Sequence, residues 1–309
     1  MKTRIAAPLV LASALASLAA PGPERMRILD SRVHEKIDHF RGSVSLYAKN
    51  LRTGISYGIR ENEPVRTAST IKLAIMIECF FEMAEGKLSP KQPVAVTADA
   101  KVSGAGIVQD MSNADLLPIS DLIDFMIVLS DNTATNLILS HVNGDAVNER
   151  MARLGLDNTR VMRKIGGGGE TSEGQKAENK KWGIGRSTPR EMVIMLEKLY
   201  GGELVSKQAC QDMLAILKRQ RDRNCIGRDM KEVTIANKTG ALDHLRSDVG
   251  IIYSRGGPIA MAFTVDDMPE VNWTVDNAGN LLISSLSEIL DDGLATPADG
   301  AAHVQTPAR

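Results

Sequence analysis

The chain has 309 residues, 43% hydrophobic and 24% charged, which is enough to bury a large core and unlike the composition of chains that stay unfolded. Its 37 basic against 38 acidic residues leave a net charge of −1, without the basic surplus that nucleic acid or an anionic membrane surface requires. Three cysteines are too few for a disulfide scaffold, and their odd number leaves at least one thiol unpaired within the chain.

In chain order, Lys2 and Arg4 precede an apolar stretch over 5–18, and Ser17-Leu18-Ala19 offers a small-x-small cleavage site. This is the pattern of a signal peptide over residues 1–19, so a mature chain that is periplasmic or secreted is expected. The stretch is short for a membrane span and no second apolar span follows it. Residues 25–40 carry Met26, Leu29, Val33, Ile37 and Phe40 at helical spacing. His34 and His39 are five apart, which does not match the four-residue spacing of a zinc-binding helix, and no metal site is expected. Strands are expected at 43–48 and 55–59 around a turn at 50–54.

Next comes Thr67-Ala68-Ser69-Thr70-Ile71-Lys72 and an apolar run to Phe81, which reads as a helix buried on most sides with Ser69 in its first turn. Residues 89–118 read as loops with short elements, followed by helices at 119–129, 133–140 and 145–154. A long connection over 160–187 contains Gly166-Gly167-Gly168-Gly169. Pro189 then opens a helix over 190–200, another follows at 206–219, strand-like runs lie at 233–238, 249–253 and 259–266, and a last helix spans 277–291. Residues 294–309, rich in Ala and Pro, read as a disordered tail. Of the cysteines, Cys79 reads as a small buried hydrophobe, and Cys210 and Cys225 are the two that could bridge.

Strands at both ends and helices between them predict an α+β fold of two lobes. An antiparallel sheet built from both termini (25–64 and 222–292) would sit against a helical lobe (65–221), with a cleft between them and one catalytic unit over 20–293.

Three short motifs fall at junctions between these elements. Residues three apart share a helix face, so Lys72 projects beside the Ser69 hydroxyl, and its apolar neighbours lower its pKa and fit it for the role of a base. The Ser69 N–H, at the positive end of the helix, is suited to an oxyanion. Ser130-Asp131-Asn132 lies between two expected helices, and Lys238-Thr239-Gly240 ends an expected strand, where Gly240 lets a ligand approach the backbone.

Together these motifs resemble the three signatures of class A β-lactamases and penicillin-binding proteins. The likeness continues through Thr133-Ala134-Thr135-Asn136-Leu137 and Thr188-Pro189 and covers roughly residues 26–291, with the class A branch fitting best. The resemblance implies a serine hydrolase that opens a β-lactam amide through an acyl-Ser69 intermediate. Lys72 would accept the Ser69 proton and Ser130 would relay one to the leaving nitrogen. Lys238 would hold Ser130 and the substrate carboxylate. Asn132 would bind the substrate side-chain amide and Thr239 its carboxylate, and the N–H groups of Ser69 and Ala241 would form the oxyanion hole. Arg246 is the candidate carboxylate-reading arginine. No cofactor is implied, the expected partner is a small β-lactam or acyl-peptide substrate, and a monomer is expected.

One departure bears on turnover. The family's loop glutamate, which activates the deacylating water, falls at Ile165 when Thr159-Arg160 and Arg163 are used as anchors, and the loop asparagine falls at Gly169. Glu170 and Glu173, displaced along the loop with Glu178 beyond them, are the candidate substitutes. Two alternatives stay open: a cell-wall peptide or ester hydrolase of the same chemistry, and a sensor that acylates once without efficient turnover.

Overall fold

The computed structural model describes residues 22–295, so the expected signal peptide and the tail beyond Ala295 lie outside it. Helix α1 (Pro23–Ile37) has proline at its start and buries Leu29 and Val33. Strand β1 (Ser43–Asn50) returns as β2 (Ser56–Ile59), and after β3 (Val65–Arg66) a 3-10 turn, Ala68–Ile71, runs directly into α2 (Lys72–Ala84). A small β4 (Pro93–Ala95) and β5 (Leu116–Pro118) pair precedes α3 (Ile119–Val128), α4 (Asn132–His141) and α5 (Gly144–Arg153). The segment expected to be a long loop holds β6 (Arg160–Val161), α6 (Ser172–Gln175), a 3-10 turn and β7 (Gly185–Ser187). The chain closes with α7 (Pro189–Gly201), α8 (Lys207–Lys218), β8 (Thr234–Leu242), β9 (Leu245–Ser254), β10 (Gly257–Asp266) and α9 (Ala278–Leu294).

The main sheet has the order β2-β1-β10-β9-β8 and is antiparallel throughout. Strand β1 pairs with β10 from Ser43↔Asp266 to Asn50↔Ile259, so the two ends of the chain meet in one sheet as expected. Side chains of β10 alternate between two cores. Ile259, Met261 and Phe263 pack with α1 and α9 on one face, and Ala260 and Ala262 pack with the middle helices on the other. Burial on both faces explains why this strand reads as an almost unbroken apolar run.

Helix α2 is the axis of the second core, with every residue from Lys72 to Cys79 buried. This buried stretch contains one acid, Glu78, which would be costly there alone. Arg150 of α5 meets it at 2.6 Å, meets Glu85 at 2.6 Å, and lies 4.2 Å above the Phe81 ring.

Three expectations need correction, and the open question of a Cys210–Cys225 bridge is answered. Strand β8 does not stop at Lys238-Thr239-Gly240 but continues to Leu242, because Ala241 and Leu242 pair with Arg246 and Leu245 across the turn at Asp243-His244. Helix α9 runs through Leu294, whose side chain is buried, so the tail cannot begin at 294. Cys210 and Cys225 do not bridge; they sit in different cores, with their thiols directed to the Leu204 carbonyl and to Asn280 Oδ1. Ser69 occupies the 3-10 turn, and Lys72 is the first α-helical residue.

Candidate active site

Strand β8 is an edge strand, and its open side faces the 3-10 turn that carries Ser69. The contact is so close that a Cβ on Gly240 would lie 2.8 Å from the Thr67 carbonyl oxygen and 3.1 Å from the Ser69 nitrogen. Only glycine lets the strand backbone approach the nucleophile's N–H this closely. Ala241 follows Gly240 on the same strand, so the two expected oxyanion donors are brought to one place.

The third wall is the α3–α4 junction. Ser130 has φ +57, and Ala68, just before the nucleophile, has φ +46. Non-glycine residues in this region store strain and concentrate at functional sites. Asp131 fixes the junction: its Oδ1 accepts from the Ala134 N–H as the N-cap of α4, and its Oδ2 accepts from Ile107 and Val108 N–H at 2.6 and 2.8 Å. Gly106 is held so close that a Cβ there would stand 2.1 Å from Asp131 Oδ2.

Two lysines meet at Ser130. Lys72 Nζ donates to the Ser130 carbonyl at 2.7 Å, to Asn132 Oδ1 at 3.0 Å and to Ser130 Oγ at 3.3 Å. Lys238 Nζ donates to Ser130 Oγ at 3.0 Å and to the Thr239 carbonyl at 2.7 Å. Both side chains are fully buried. Burial, then the charge of Lys238, pushes Lys72 well below the usual lysine range, against the pull of Asp131. Burial likewise lowers Lys238 to about 8, opposed by the carboxylates of Asp248 and Asp222. The hydroxyl of Ser130 is thus bridged to a lysine fitted to act as a base and to a second that is still largely cationic at neutral pH.

Ser69, Ser130, Asn132, Thr239, Gly240 and Ala241 line one cavity of 660 Å³. Its remaining wall is mostly apolar, with Val128, Leu129, Ile165, Ile184, Leu242 and Trp273. Ile165 is held there by Asn136, whose amide accepts from the Ile165 N–H at 2.9 Å and donates to its carbonyl at 3.0 Å. After it, Gly166 to Gly169 all adopt positive φ, a path that side-chain-bearing residues rarely follow, and the chain turns away from the cavity.

The expected substitutes for the loop glutamate therefore lie elsewhere. Glu170 is exposed, pairs with Lys180 at 3.2 Å and faces a separate surface pocket beside Leu139 and Ser140. Glu173 is tied to Lys176 at 2.7 Å and to Asn179 at 3.0 Å, and the bond from Lys176 holds its pKa below the usual carboxylate range. Neither lines the cavity that contains Ser69. Among the described residues the carboxylate that does line it is Asp222, on the β8 side, with Oδ1 held by the Asn224 N–H and side chain.

A family model described as "Beta-lactamase enzyme family" matches residues 28–294. The chain belongs to this family. The structure of a β-lactamase from Sphaerobacter thermophilus is similar at 25% identity and a TM-score of 0.75, covering 86% of this chain and 96% of that one. PBP-A is similar at 24% identity and a TM-score of 0.74, covering 86% and 95%. A mutant of PBP-A in an acyl-enzyme complex with penicillin G is also similar, at 23% identity and a TM-score of 0.74, covering 86% and 96%. A comparison with curated proteins returns no match.

This β-lactamase family member departs from the sequence expectation at its arginine as well. Arg246 lines not this cavity but a smaller chamber beside it, with Thr239; Nη1 donates to the Leu242 and Leu245 carbonyls at 2.7 Å each, and Nη2 donates to the Asn272 carbonyl. The arginine that lines the cavity is Arg221. Sequence reasoning assigned no role to Arg221, Asn136, Ile184 or Trp273. Two of these carry some signal: Asn136 stands in the 133–137 stretch of the resemblance, and Trp273 is one of only two tryptophans in the chain.

Proposed function

We propose that this β-lactamase family member opens a β-lactam amide through an acyl-Ser69 intermediate and releases the acyl group slowly. The observation that carries the first half is Ser130 Oγ standing between two buried lysines beside the 3-10 turn of Ser69. Neutral Lys72 takes the Ser69 hydroxyl proton as Oγ bonds to the lactam carbonyl carbon, and the oxyanion is met by the N–H groups of Ser69 and Ala241. The C–N bond then breaks. Ser130 gives its hydroxyl proton to the leaving nitrogen and is reprotonated from the Lys72 ammonium, 3.3 Å away. Lys238 holds Ser130 Oγ and offers its charge to the substrate carboxylate, next to Thr239. Asn132, its Oδ1 on Lys72, has its amide group toward the Ser103 carbonyl at 3.2 Å, where the acyl side chain would lie.

The second half rests on Ile165 and Ile184. Hydrolysis of the ester needs a base for the attacking water, and these two side chains can accept no proton. This favours, as a second reading, a penicillin-binding protein that stays acylated. The lysine-flanked apolar stretch at the N-terminus supports action outside the cytoplasm, where β-lactams and cell-wall peptides occur.

The test is covalent labelling by a fluorescent penicillin. The natural protein should label at Ser69 and Ser69→Ala should not; labelling that persists in Ser69→Ala would remove Ser69 as the nucleophile.

A further inference from the structure

The catalytic cavity adjoins a second chamber of 180 Å³ that shares Asp222, Thr239, Gly240, Ala241 and Trp273 with it but none of Ser69, Ser130 or Asn132. It therefore extends the site on the Lys238 and Thr239 side, beyond the place of the leaving nitrogen. Trp273 stands at the junction with 62% of its surface exposed.

This indole is exposed but not loose. The Arg246 guanidinium lies 4.8 Å from its ring centre, and that guanidinium is itself locked by the carbonyls of Leu242, Leu245 and Asn272. The backbone is pinned on both sides of the tryptophan. The Asn272 carbonyl also accepts from Asn277 Nδ2 at 2.7 Å, and the Val275 carbonyl accepts from Arg228 and from Asn280 Nδ2. Leu242, which lines the catalytic cavity, and Val275, which lines the second chamber, are also exposed and enlarge the apolar surface. An indole fixed in advance and left open to solvent binds a flat partner without a further ordering cost. The Asp222 carboxylate on the same wall disfavours an anionic group, and three of the five Arg246 donors are engaged by backbone carbonyls.

We propose that Trp273, with Leu242, is a stacking platform for a flat, uncharged, apolar substituent on the leaving-group side of the acyl donor. The proposal rests on the acyl-enzyme reading above, and Trp273 is a specificity residue under it.

The test uses two cephalosporins with the same acyl side chain, one bearing a methyl and one an aryl-vinyl group on the six-membered ring. Trp273→Ala should lower the acylation rate constant for the aryl compound by about fivefold to tenfold and leave the methyl compound within about twofold. Trp273→Phe should recover most of the loss. Equal effects on both compounds, or none, would overturn the platform. Calorimetric affinities of both compounds for Ser69→Ala and for Ser69→Ala with Trp273→Ala keep the two claims apart. An aryl preference that depends on Trp273 there, without acylation in the natural protein, would uphold the platform and overturn the acyl-enzyme reading; no such preference would overturn the platform itself.

Discussion

Under the proposed acylation, Lys72, Lys238 and Asp248 set how the reaction responds to pH. Asp248, buried on β9 opposite Thr239, accepts from both Asn237 Nδ2 and the Ile226 N–H. Burial pushes its carboxyl up to about 7, opposed by those bonds and by Lys238, while Asp222 adds to the rise. Acylation needs neutral Lys72 and cationic Lys238, so its rate should climb as pH passes the lowered value of Lys72 and fall as pH rises through about 8. Ionised Asp248 helps Lys238 keep its proton, so Asp248→Asn should move the alkaline fall to lower pH; the pH profile of penicillin acylation checks this, and an unmoved limb contradicts it. Ile165 governs the other step. With Asn136 holding its backbone, Ile165→Glu places a carboxylate in the cavity wall and should shorten the acyl-enzyme lifetime by about 10²-fold or more, read as adduct decay after rapid removal of free penicillin. That the motifs carrying Ser69, Ser130 and Thr239 line one cavity, with Ile165 in its wall where the family's glutamate falls, was legible through the resemblance. Asp248 was not, because an acid in an apolar strand gives no sign of what it meets until β8 and β9 are paired, and Arg246 misled because nearness in sequence says nothing of which carbonyls claim a guanidinium.

At the level of elements, the site depends on how closely β8 lies on the 3-10 turn. Gly240→Ala brings a methyl 2.8 Å from the Thr67 carbonyl oxygen, a backbone atom that cannot swing aside, and separates the strand from the Ser69 N–H. Acylation should fall by about tenfold or more, since one oxyanion donor is worth about 10²–10³ in rate, while the thermal midpoint changes little at this edge strand. Stopped-flow acylation and thermal unfolding on the same sample check both halves. Helices were read well from sequence where periodicity and caps agreed, as at α7, where Thr188 accepts from the Glu191 N–H and Pro189 occupies the first turn. The segment after α5 was read as loop because its strands, β6 and β7, are two and three residues long and are fixed by pairing with each other and with β3 rather than by local pattern. The four glycines were legible as part of a long connection. Their consequence, that Glu170 is carried away from Ser69, needed the backbone path.

The whole molecule places its chemistry where two cores meet. One core lies between the sheet and α1 with α9, the other is built around α2, and the cavity forms where the edge strand of the sheet reaches the N-terminus of α2 and the α3–α4 junction. This explains why residues as far apart in the chain as Ser69, Ser130 and Lys238 converge, and why their order along the chain was readable while the shape of the cavity wall was not. Under the proposed reading the acylating groups stand beside a mostly apolar wall, so capture should outrun release. Intact-mass spectrometry of the protein mixed with a penicillin, followed from seconds to hours, tests this most directly. The account predicts a single adduct of the mass of the whole penicillin, mapped to the peptide containing Ser69, that forms within the early time points and decays over the later ones with slow appearance of opened product. The absence of any adduct or opened product would contradict acylation at Ser69, and rapid accumulation of product with no adduct persisting would contradict the role given to Ile165.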